Sequence, residues 1–289
     1  MDSDTRQRGT PNISARLGQS PMAVKGERRA PEAIDLPRWS LARGRTFVLL
    51  KIASVAVTLL VWEWYGRGVS SIFFSYPTAI AAAVPEMIRS GELDRALLSS
   101  LQPFVVGWGA SIMLGVLVGL LMGRYRVVDA LLDAQISALY SAPTVALIPI
   151  FILWLGLGFQ AKVAIIFLSA FFPIAINSQS GARSVTPDLI DIGRVERARE
   201  DQIFTKIVVP ASLPFIMTGI RLSVGRAVVG MVVAEMFTAI TGLGGAIVLY
   251  SSTYKMDRLF VSVIVLAMMG VGLTYLIKRL ERGLMPWRS

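Results

Sequence analysis

Residues 189–214, LIDIGRVERAREDQIFTKIVVPASLP, form a charged interruption between two long apolar runs of the chain. The middle of this stretch alternates basic and acidic residues. The whole connection 181–213 holds five of each, so it carries no net charge. A neutral helix of mixed charge binds anionic lipid poorly, whereas it suits specific contacts with another protein. From the residues alone, a docking surface and a solvated connector are equally good interpretations of this stretch.

The apolar runs around the interruption predict the fold class. A helix needs about 20 mostly apolar residues to cross a bilayer, and backbone groups in lipid must satisfy one another, as they do in helices. The runs are continuous instead of alternating, which disfavours a β-barrel. A content of 54% hydrophobic and 17% charged residues agrees with a membrane protein. We predict an all-α membrane protein with six transmembrane helices, at about 47–66, 102–123, 135–155, 162–180, 214–238 and 259–280.

The basic residues predict the orientation of the chain. Residues 1–46 are polar and show no apolar periodicity, so we expect a disordered arm, then a membrane domain at 47–285 and a tail at 286–289. If the N-terminus is inside, 20 of the 29 lysine and arginine residues lie on the inner side and 6 on the outer side. This asymmetry predicts that both termini are cytoplasmic. It also explains the net charge of +10 without nucleic-acid binding, because long apolar runs separate the basic residues.

The residue types in the chain exclude several kinds of chemistry. There is no cysteine and no histidine, so disulfides, Cys/His metal sites and imidazole catalysis are excluded. The glycine-rich stretch TGLGGAIVLYSS at 241–252 lacks the lysine of a GxxxxGK[ST] phosphate loop, and we interpret it as a turn. We predict no catalytic residue, no metal and no cofactor on this chain, so any ATP is used by another polypeptide.

Three glycines at a spacing of four residues lie in the second predicted span. Gly115, Gly119 and Gly123 fall on one face of a helix, where small residues let a second backbone approach closely. Glycine is also generally frequent in membrane helices. The regular spacing nevertheless favours helix packing as the role of this face.

Prolines and ionisable residues mark candidates for a transport pathway. Pro143 and Pro149 each remove a backbone hydrogen bond from the third span, and kinked or broken helices often line pathways; a kink that serves packing alone is the alternative. Arg226 and Glu235 lie deep in the fifth span, where ionisable groups are costly unless paired or wet. They are about 13–14 Å apart along one helix and cannot pair within it. Each indicates a polar pathway wall or an ion pair with another helix.

The charged interruption resembles the cytoplasmic signature of ABC importer permeases, the binding-protein-dependent transport inner-membrane component. That signature reads EAA, three residues, glycine, nine residues, then I-x-L-P. The corresponding positions here are Asp191, Ile192, Gly193, Arg197, Ile207 and Pro210, and Ala198, next to Arg197, is a further candidate for contact with the ATPase. The stretches FFSYPTAIAAAVPEMIRSGEL, SAPTVALIPIFILWLGLG and TGIRLSVGRAVVGMVVAEMF resemble the nitrate/sulfonate/taurine branch of these permeases, so the likeness covers about 47–285.

The resemblance implies a type I ABC importer permease fold in the inner membrane and transport by alternating access. It implies a second permease subunit in a homodimer, two ATPase subunits that hold ATP and Mg, and a periplasmic or lipid-anchored substrate-binding protein. It also implies that residues 188–209 form a coupling helix seated in a cleft of the ATPase. The branch indicates a small oxyanion such as a sulfonate, taurine or nitrate as the substrate.

One departure from the signature concerns the position that is glycine in the family. Arg197 stands there, although glycine permits a tight turn or a close approach to the ATPase. On a continuous helix Arg197 could pair with Asp201 four residues later, for about 0.2–0.5 kcal/mol. We therefore expect Arg197 to change docking more than stability.

Three alternatives to this interpretation are another substrate class, a secondary transporter and a membrane-embedded enzyme. Relatives in this branch carry a pyrimidine precursor or an aromatic acid instead of an oxyanion. A secondary transporter would need paired carboxylates within the membrane, and only Glu63 and Glu235 are available. A membrane-embedded enzyme is disfavoured by the missing histidine and cysteine.

Overall fold

The computed structural model describes residues 44–238 and 240–285, and every regular element within them is helical. The helices are α1 Gly44–Gly68, α2 Pro77–Arg89, α3 Glu92–Arg124, α4 Arg126–Ser141, α5 Ile148–Leu155, α6 Phe159–Arg183, α7 Pro187–Val195, α8 Glu200–Ile203, α9 Val209–Phe237, α10 Gly242–Ser252 and α11 Met256–Leu284. The predicted arm at 1–46 and tail at 286–289 lie outside the described residues, apart from the helical backbone of 44–46.

The chain divides into two units, Met1–Ser54 and Val55–Ser289. Of the first unit only the start of α1 is described, and it is helical. The second unit contains the remainder of α1 and all other helices, and every contact reported below lies within it.

The described residues contain five helices that are long and apolar enough to cross a membrane, or six if one bent pair counts as a span. The five are Phe47–Gly68, Glu92–Arg124, Phe159–Arg183, Glu200–Phe237 and Met256–Leu284, and the bent pair is Arg126–Ser141 with Thr144–Leu155. This arrangement confirms the predicted all-α membrane fold.

The third predicted span, 135–155, is not one helix. The α4 helix ends at Ser141, the backbone of Ala142 and Pro143 is extended, and a 3-10 turn at Thr144–Leu147 leads into α5. The two parts are bent by 97°. The residue before a proline is driven out of the helical region by the proline ring, which explains the break. Pro149 lies in the first turn of α5, where the missing N–H has no helical partner to lose.

The centre of the bundle is α6, with α3 on one side and α9 on the other. A stripe of small residues on α3, from Gly107 to Gly123, brings its backbone against α6. A side-chain carbon at Gly119 would collide with the carbonyl oxygen of Ala175, and one at Gly115 would lie 3.0 Å from Ile174. The predicted packing face of α3 is therefore occupied by α6.

The α9 helix packs on the opposite side of α6 by the same means. A side-chain carbon at Gly219 would lie 3.0 Å from the carbonyl oxygen of Pro173, and one at Gly230 would lie 2.9 Å from Cβ of Ser169. Because lipid supplies little hydrophobic force between helices, such close packing is the main source of their association.

The bundle has two different ends. The α10 end carries α2 and α10, and there the carboxylate of Glu63 accepts hydrogen bonds from the backbone N–H and the hydroxyl of Thr78 at the start of α2. The signature end carries α7 and α8, at the opposite end of α9. These two ends frame the candidate site.

The α3–α6 packing is testable with alanine. Gly119→Ala should destabilise the domain by about 1–3 kcal/mol, because the new carbon overlaps the backbone of α6. A lower midpoint of thermal unfolding in detergent would show this. Gly109→Ala is the matched control in the same helix, since nothing lies within 4 Å of its Cβ position. Equal midpoints for the two variants would contradict the packing.

Candidate functional site

The charged interruption folds as two short helices with a turn between them, not as the single helix predicted at 188–209. The α7 helix ends at Val195, the turn covers 196–199, and α8 with a π-helical turn at Phe204–Val208 leads into α9. The prediction of a continuous coupling helix was therefore wrong in its middle.

The break lies at Arg197. The φ of this residue, 56°, lies in the left-handed region, which residues other than glycine seldom adopt. The N–H of Arg197 donates to the carbonyl of Arg194 at 3.0 Å, and the N–H of Ala198 donates to the carbonyl of Gly193 at 2.9 Å. These two bonds form the Schellman motif that ends many helices, and its left-handed position is usually glycine. The glycine of the family signature thus has a local reason, and arginine takes that conformation here.

The turn also removes the ion pair expected on a continuous helix. Asp201 pairs with Nε of Arg199 at 3.0 Å instead of with Arg197. Arg197 forms no ion pair within the described residues, and it is exposed.

The inner side of the segment is anchored in the bundle. A side-chain carbon at the buried Gly193 would lie 3.0 Å from Cδ1 of Ile207 and 3.2 Å from Ile203, so α7 folds back closely on the following helix. Ile203 and Val208 are fully buried. The carboxylate of Glu200 accepts hydrogen bonds from Arg124, the last residue of α3, and from Arg194 at 3.4 Å.

The outer side of α7 is apolar and uncovered. Leu189, Ile192 and Val195 are spaced three residues apart on one helix face, and Val195 is 80% exposed. Asp191 and Arg197 flank this apolar stripe and are also exposed. An apolar stripe with charged edges is the anatomy of a protein-docking surface.

A pocket of about 270 Å³ lies among α5, α6 and α9. Its lining residues are Thr144, Val145, Ile148, Ile165, Ser169, Gly225, Arg226, Val229, Gly230 and Val233. Pro143 shapes this pocket indirectly, because the break that it causes brings Thr144 and Val145 into the wall. Pro149 does not line it.

Arg226 is the charged residue of this wall. Its Nη2 donates to the hydroxyl of Tyr140 at 2.9 Å, and its guanidinium carbon lies 4.6 Å from the centre of the same ring. The side chain is exposed on a helix that crosses the membrane. The geometry leaves donors of the guanidinium for an anion while Tyr140 fixes its plane.

Glu235 lies outside this pocket, deeper toward the α10 end. It is fully buried, and its Oε2 accepts the N–H of Gly244 at 2.8 Å. The oppositely charged residue nearby is Lys162, which is 5% exposed and interacts electrostatically with Glu235. Lys162 lies at the edge of the predicted span 162–180, and no role was predicted for it from the sequence. The signal for it was a single lysine at the start of a long apolar helix.

A second polar network holds the other end of α10. Nη1 and Nη2 of Arg258 bind Glu92 at 3.0 Å and Glu86 at 2.6 Å, and the hydroxyl of Tyr250 donates to Glu92 at 2.9 Å. Burial of the hydroxyl raises the pKa of Tyr250 to about 12, with a smaller contribution from the hydrogen bond to Glu92, so the hydroxyl stays protonated near neutral pH.

Within 44–238 and 240–285, no three acidic, histidine or cysteine side chains are grouped for a metal ion.

Comparison with family models matches residues 111–287 to the binding-protein-dependent transport system inner membrane component. This chain belongs to that family. The matched range includes the signature end, the Arg226 pocket and the buried Glu235. The chain is therefore an inner-membrane permease subunit of the ABC importer class, as the signature predicted.

Curated relatives share most of its length. The putative aliphatic sulfonates transport permease protein SsuC of Bacillus subtilis (strain 168) is 34% identical over 81% of this chain and 86% of its own. The formylaminopyrimidine transport permease protein ThiX of Halalkalibacterium halodurans is 30% identical over 80% and 92%. The taurine transport system permease protein TauC of Escherichia coli (strain K12) is 28% identical over 87% and 93%.

A solved structure agrees with the fold. A chain from inward-facing conformations of the MetNI methionine ABC transporter matches with a TM-score of 0.54 and 20% identity, over 65% of this chain and 93% of that chain. The predicted permease fold is confirmed by this likeness together with the family match.

The left-handed conformation of Arg197 leads to a prediction about stability. Arg197→Gly should stabilise the domain by about 1 kcal/mol, because glycine adopts this conformation without a clash of its own side chain. Thermal unfolding of the detergent-solubilised protein measures the gain. Arg197→Ala removes the guanidinium but keeps Cβ, so it should show no comparable gain. Equal unfolding midpoints for Arg197→Gly and Arg197→Ala would mean that the left-handed backbone conformation does not limit the stability of the domain.

Proposed function

We propose that this permease carries a small oxyanion, such as a sulfonate, taurine or nitrate, by alternating access through the pocket beside Arg226. ATP and Mg belong to separate ATPase subunits, which bind the signature end. A periplasmic or lipid-anchored binding protein delivers the substrate at the α10 end. The signature end and both termini are then cytoplasmic, in agreement with the distribution of basic residues.

The observation that carries the proposal is the position of Arg226. A charged side chain that faces lipid from the middle of a helix is costly, so such residues face a water-filled cavity or a protein partner. Arg226 is exposed, lines the pocket and is held by Tyr140. A guanidinium offers paired N–H donors that match the oxygens of a sulfonate or nitrate. The names of relatives that transport sulfonates and taurine support the same class of substrate.

The exposed face of α9 supports a homodimer. Leu222, Gly225, Arg226 and Val229 are exposed and lie along one side of this helix. In a twofold dimer this face meets its own copy, which places both Arg226 side chains near the axis and away from lipid. The pathway then runs between the two subunits.

The α7 stripe supports docking of the ATPase. Its apolar residues are exposed in the single chain and need a partner to cover them. The segment beneath is rigid, since Ile203 and Val208 are buried and Glu200 is bound to the end of α3. A force applied to α7 by an ATPase would therefore reach α3 and α9 directly.

A pyrimidine precursor is the second candidate for the substrate, because the formylaminopyrimidine permease ThiX is 30% identical to this chain. A neutral pyrimidine would stack on Tyr140 and need the charge of Arg226 less, whereas the carboxylate of an aromatic acid would still bind Arg226. A secondary transporter is disfavoured, since Glu63 binds α2 and Glu235 is enclosed, so they form no carboxylate pair.

Transport assays with Arg226 variants test the substrate class. In proteoliposomes with the ATPase and the binding protein, Arg226→Gln should lower ATP-driven uptake of a labelled alkanesulfonate by about tenfold or more, because it removes a charge-assisted hydrogen bond. Arg226→Lys should retain part of the activity. Arg279→Gln, which removes an exposed charge far from the pocket, should leave uptake unchanged. Native uptake by Arg226→Gln, or uptake of a neutral pyrimidine alone, would refute an oxyanion pathway.

Copurification tests the docking surface. Ile192→Glu places a charge in the apolar stripe of α7 and should reduce the yield of the complex with the ATPase subunits by about tenfold or more, because the carboxylate would be buried on docking. Leu157→Glu adds the same charge at an exposed leucine near the start of α6 and is the control. Undiminished complex with Ile192→Glu would show that the ATPase binds elsewhere.

A further inference from the structure

Four segments of the chain meet around the buried Glu235 at the α10 end. Oε2 of Glu235, on α9, accepts the N–H of Gly244, and the hydroxyl of Ser100, on α3, accepts the N–H of Leu243 at 2.8 Å. Nζ of Lys162, on α6, donates to the hydroxyl of Thr241 in the turn before α10. The first turn of α10 is thus held by side chains from three membrane-spanning helices.

The glycines of this turn leave room for the carboxylate of Glu235, because neither carries a side chain. Gly242 has a φ of 77°, and a side-chain carbon at this position would collide with Glu235. A side-chain carbon at Gly244 would lie 3.0 Å from Cβ of Glu235 and 2.6 Å from the carbonyl oxygen of Val232. The stretch interpreted from the sequence as a plain turn is therefore a fitted seat for a negative charge, at the positive end of the α10 dipole.

This charged cluster lies directly above the Arg226 pocket. Ile148 and Ile165 line the pocket, and they form an apolar cluster with the buried Ala234. Ala234 precedes Glu235 in the chain, and Lys162 is one turn before Ile165. The apolar cluster and the charged cluster form two consecutive layers between the pocket and the α10 end.

The α10 helix is short, and the charged cluster holds its first turn. It has 11 residues, too few to cross a bilayer. Its end is tied to Glu92 by the hydroxyl of Tyr250, whereas its beginning is held by the charged cluster. Release of the beginning would let α10 swing about the end that remains attached.

We propose that Lys162 and Glu235 form the latch that closes the outer end of the transport pathway by holding the start of α10. The reason for charges at this position is energetic. The two buried opposite charges lose hydration but gain the hydrogen bonds to Gly244 and Thr241 and an attraction to each other, and these terms nearly cancel. The closed state and a wet, open state are then similar in free energy, as a gate that opens in every cycle requires. An apolar pair of similar size would favour the closed state strongly.

The inference rests on the proposed transport function, and its two variants have opposite expected effects. Glu235→Gln keeps an oxygen acceptor for Gly244 but leaves Lys162 buried without its counter-charge, so the latch should loosen. The double variant Lys162→Met with Glu235→Leu replaces the pair by apolar side chains, so the latch should stay closed. If Lys162 and Glu235 had a purely structural role, the apolar double variant would instead transport as well as the native protein.

The experiment uses the full transporter with its ATPase in proteoliposomes. For Glu235→Gln we expect the ATPase rate without binding protein, and hydrogen exchange of the Leu243 and Gly244 amides, to rise about tenfold or more. For the double variant we expect normal assembly, slower exchange of the Leu243 amide, whose acceptor Ser100 is unchanged, and ATP-driven alkanesulfonate uptake reduced about tenfold or more. Native uptake by the double variant, or unchanged exchange and ATPase rates in Glu235→Gln, would overturn the latch.

A substitute variant and two readouts that do not depend on the transported solute complete the test. If Glu235→Gln does not assemble, Lys162→Gln is measured in the same exchange and ATPase assays, with the same expected rise and the same refutation. Exchange and binding-protein-independent ATPase rates do not depend on which solute is carried. A failure of the oxyanion assignment would therefore abolish uptake of the sulfonate in the native protein while these two readouts still judge the latch.

Discussion

The close approach of α3 to α6 is the contact on which the rest of the structure depends. Small residues at a spacing of four let the two backbones touch over the length of the membrane, and a carbon at Gly119 would already collide with Ala175. Packing of this kind behaves as one rigid body, because it leaves no side chains to rearrange. The rigid pair reaches from Ser100, beside α10, to Arg124, which binds Glu200 at the signature end. Both ends of the bundle are thereby attached to the same unit.

At the signature end, the position that is glycine in the family signature is the one that needs a left-handed backbone conformation. A Schellman turn between α7 and α8 requires one left-handed residue, and glycine meets this requirement at the lowest cost. Arg197 meets it with strain, and its exposed guanidinium lies beside the apolar stripe of α7. The turn remains because the buried Ile203 and the close contact of Gly193 with Ile207 hold both flanking helices in place.

Much of this fold could be predicted from the sequence, because its dominant signals are local. Continuous apolar runs give the spans, and the four-residue glycine period gives the face of α3. The sequence did not predict the break at Arg197, because no glycine or proline stands there and a stretch of mixed charge is compatible with a continuous helix. The partner of Arg226 was also not predictable: Tyr140 is 86 residues away, and only the bend at Pro143 brings the two together. The contact of Lys162 with Thr241 was not predictable for the same reason, because the two residues are 79 positions apart in the chain.

The ionisable residues inside the membrane are placed in two physically different ways. Arg226 is exposed and bound to a neutral phenol, so its charge stays available to a ligand. Glu235 and Lys162 are enclosed, and each reduces the cost of burying the other. A pathway for an anion needs both arrangements: an uncompensated cation attracts the substrate, whereas a compensated pair adds little net field and does not trap it. In the proposed pathway, the separation of Arg226 and Glu235 along α9, by about two and a half turns, keeps the carboxylate from neutralising the guanidinium.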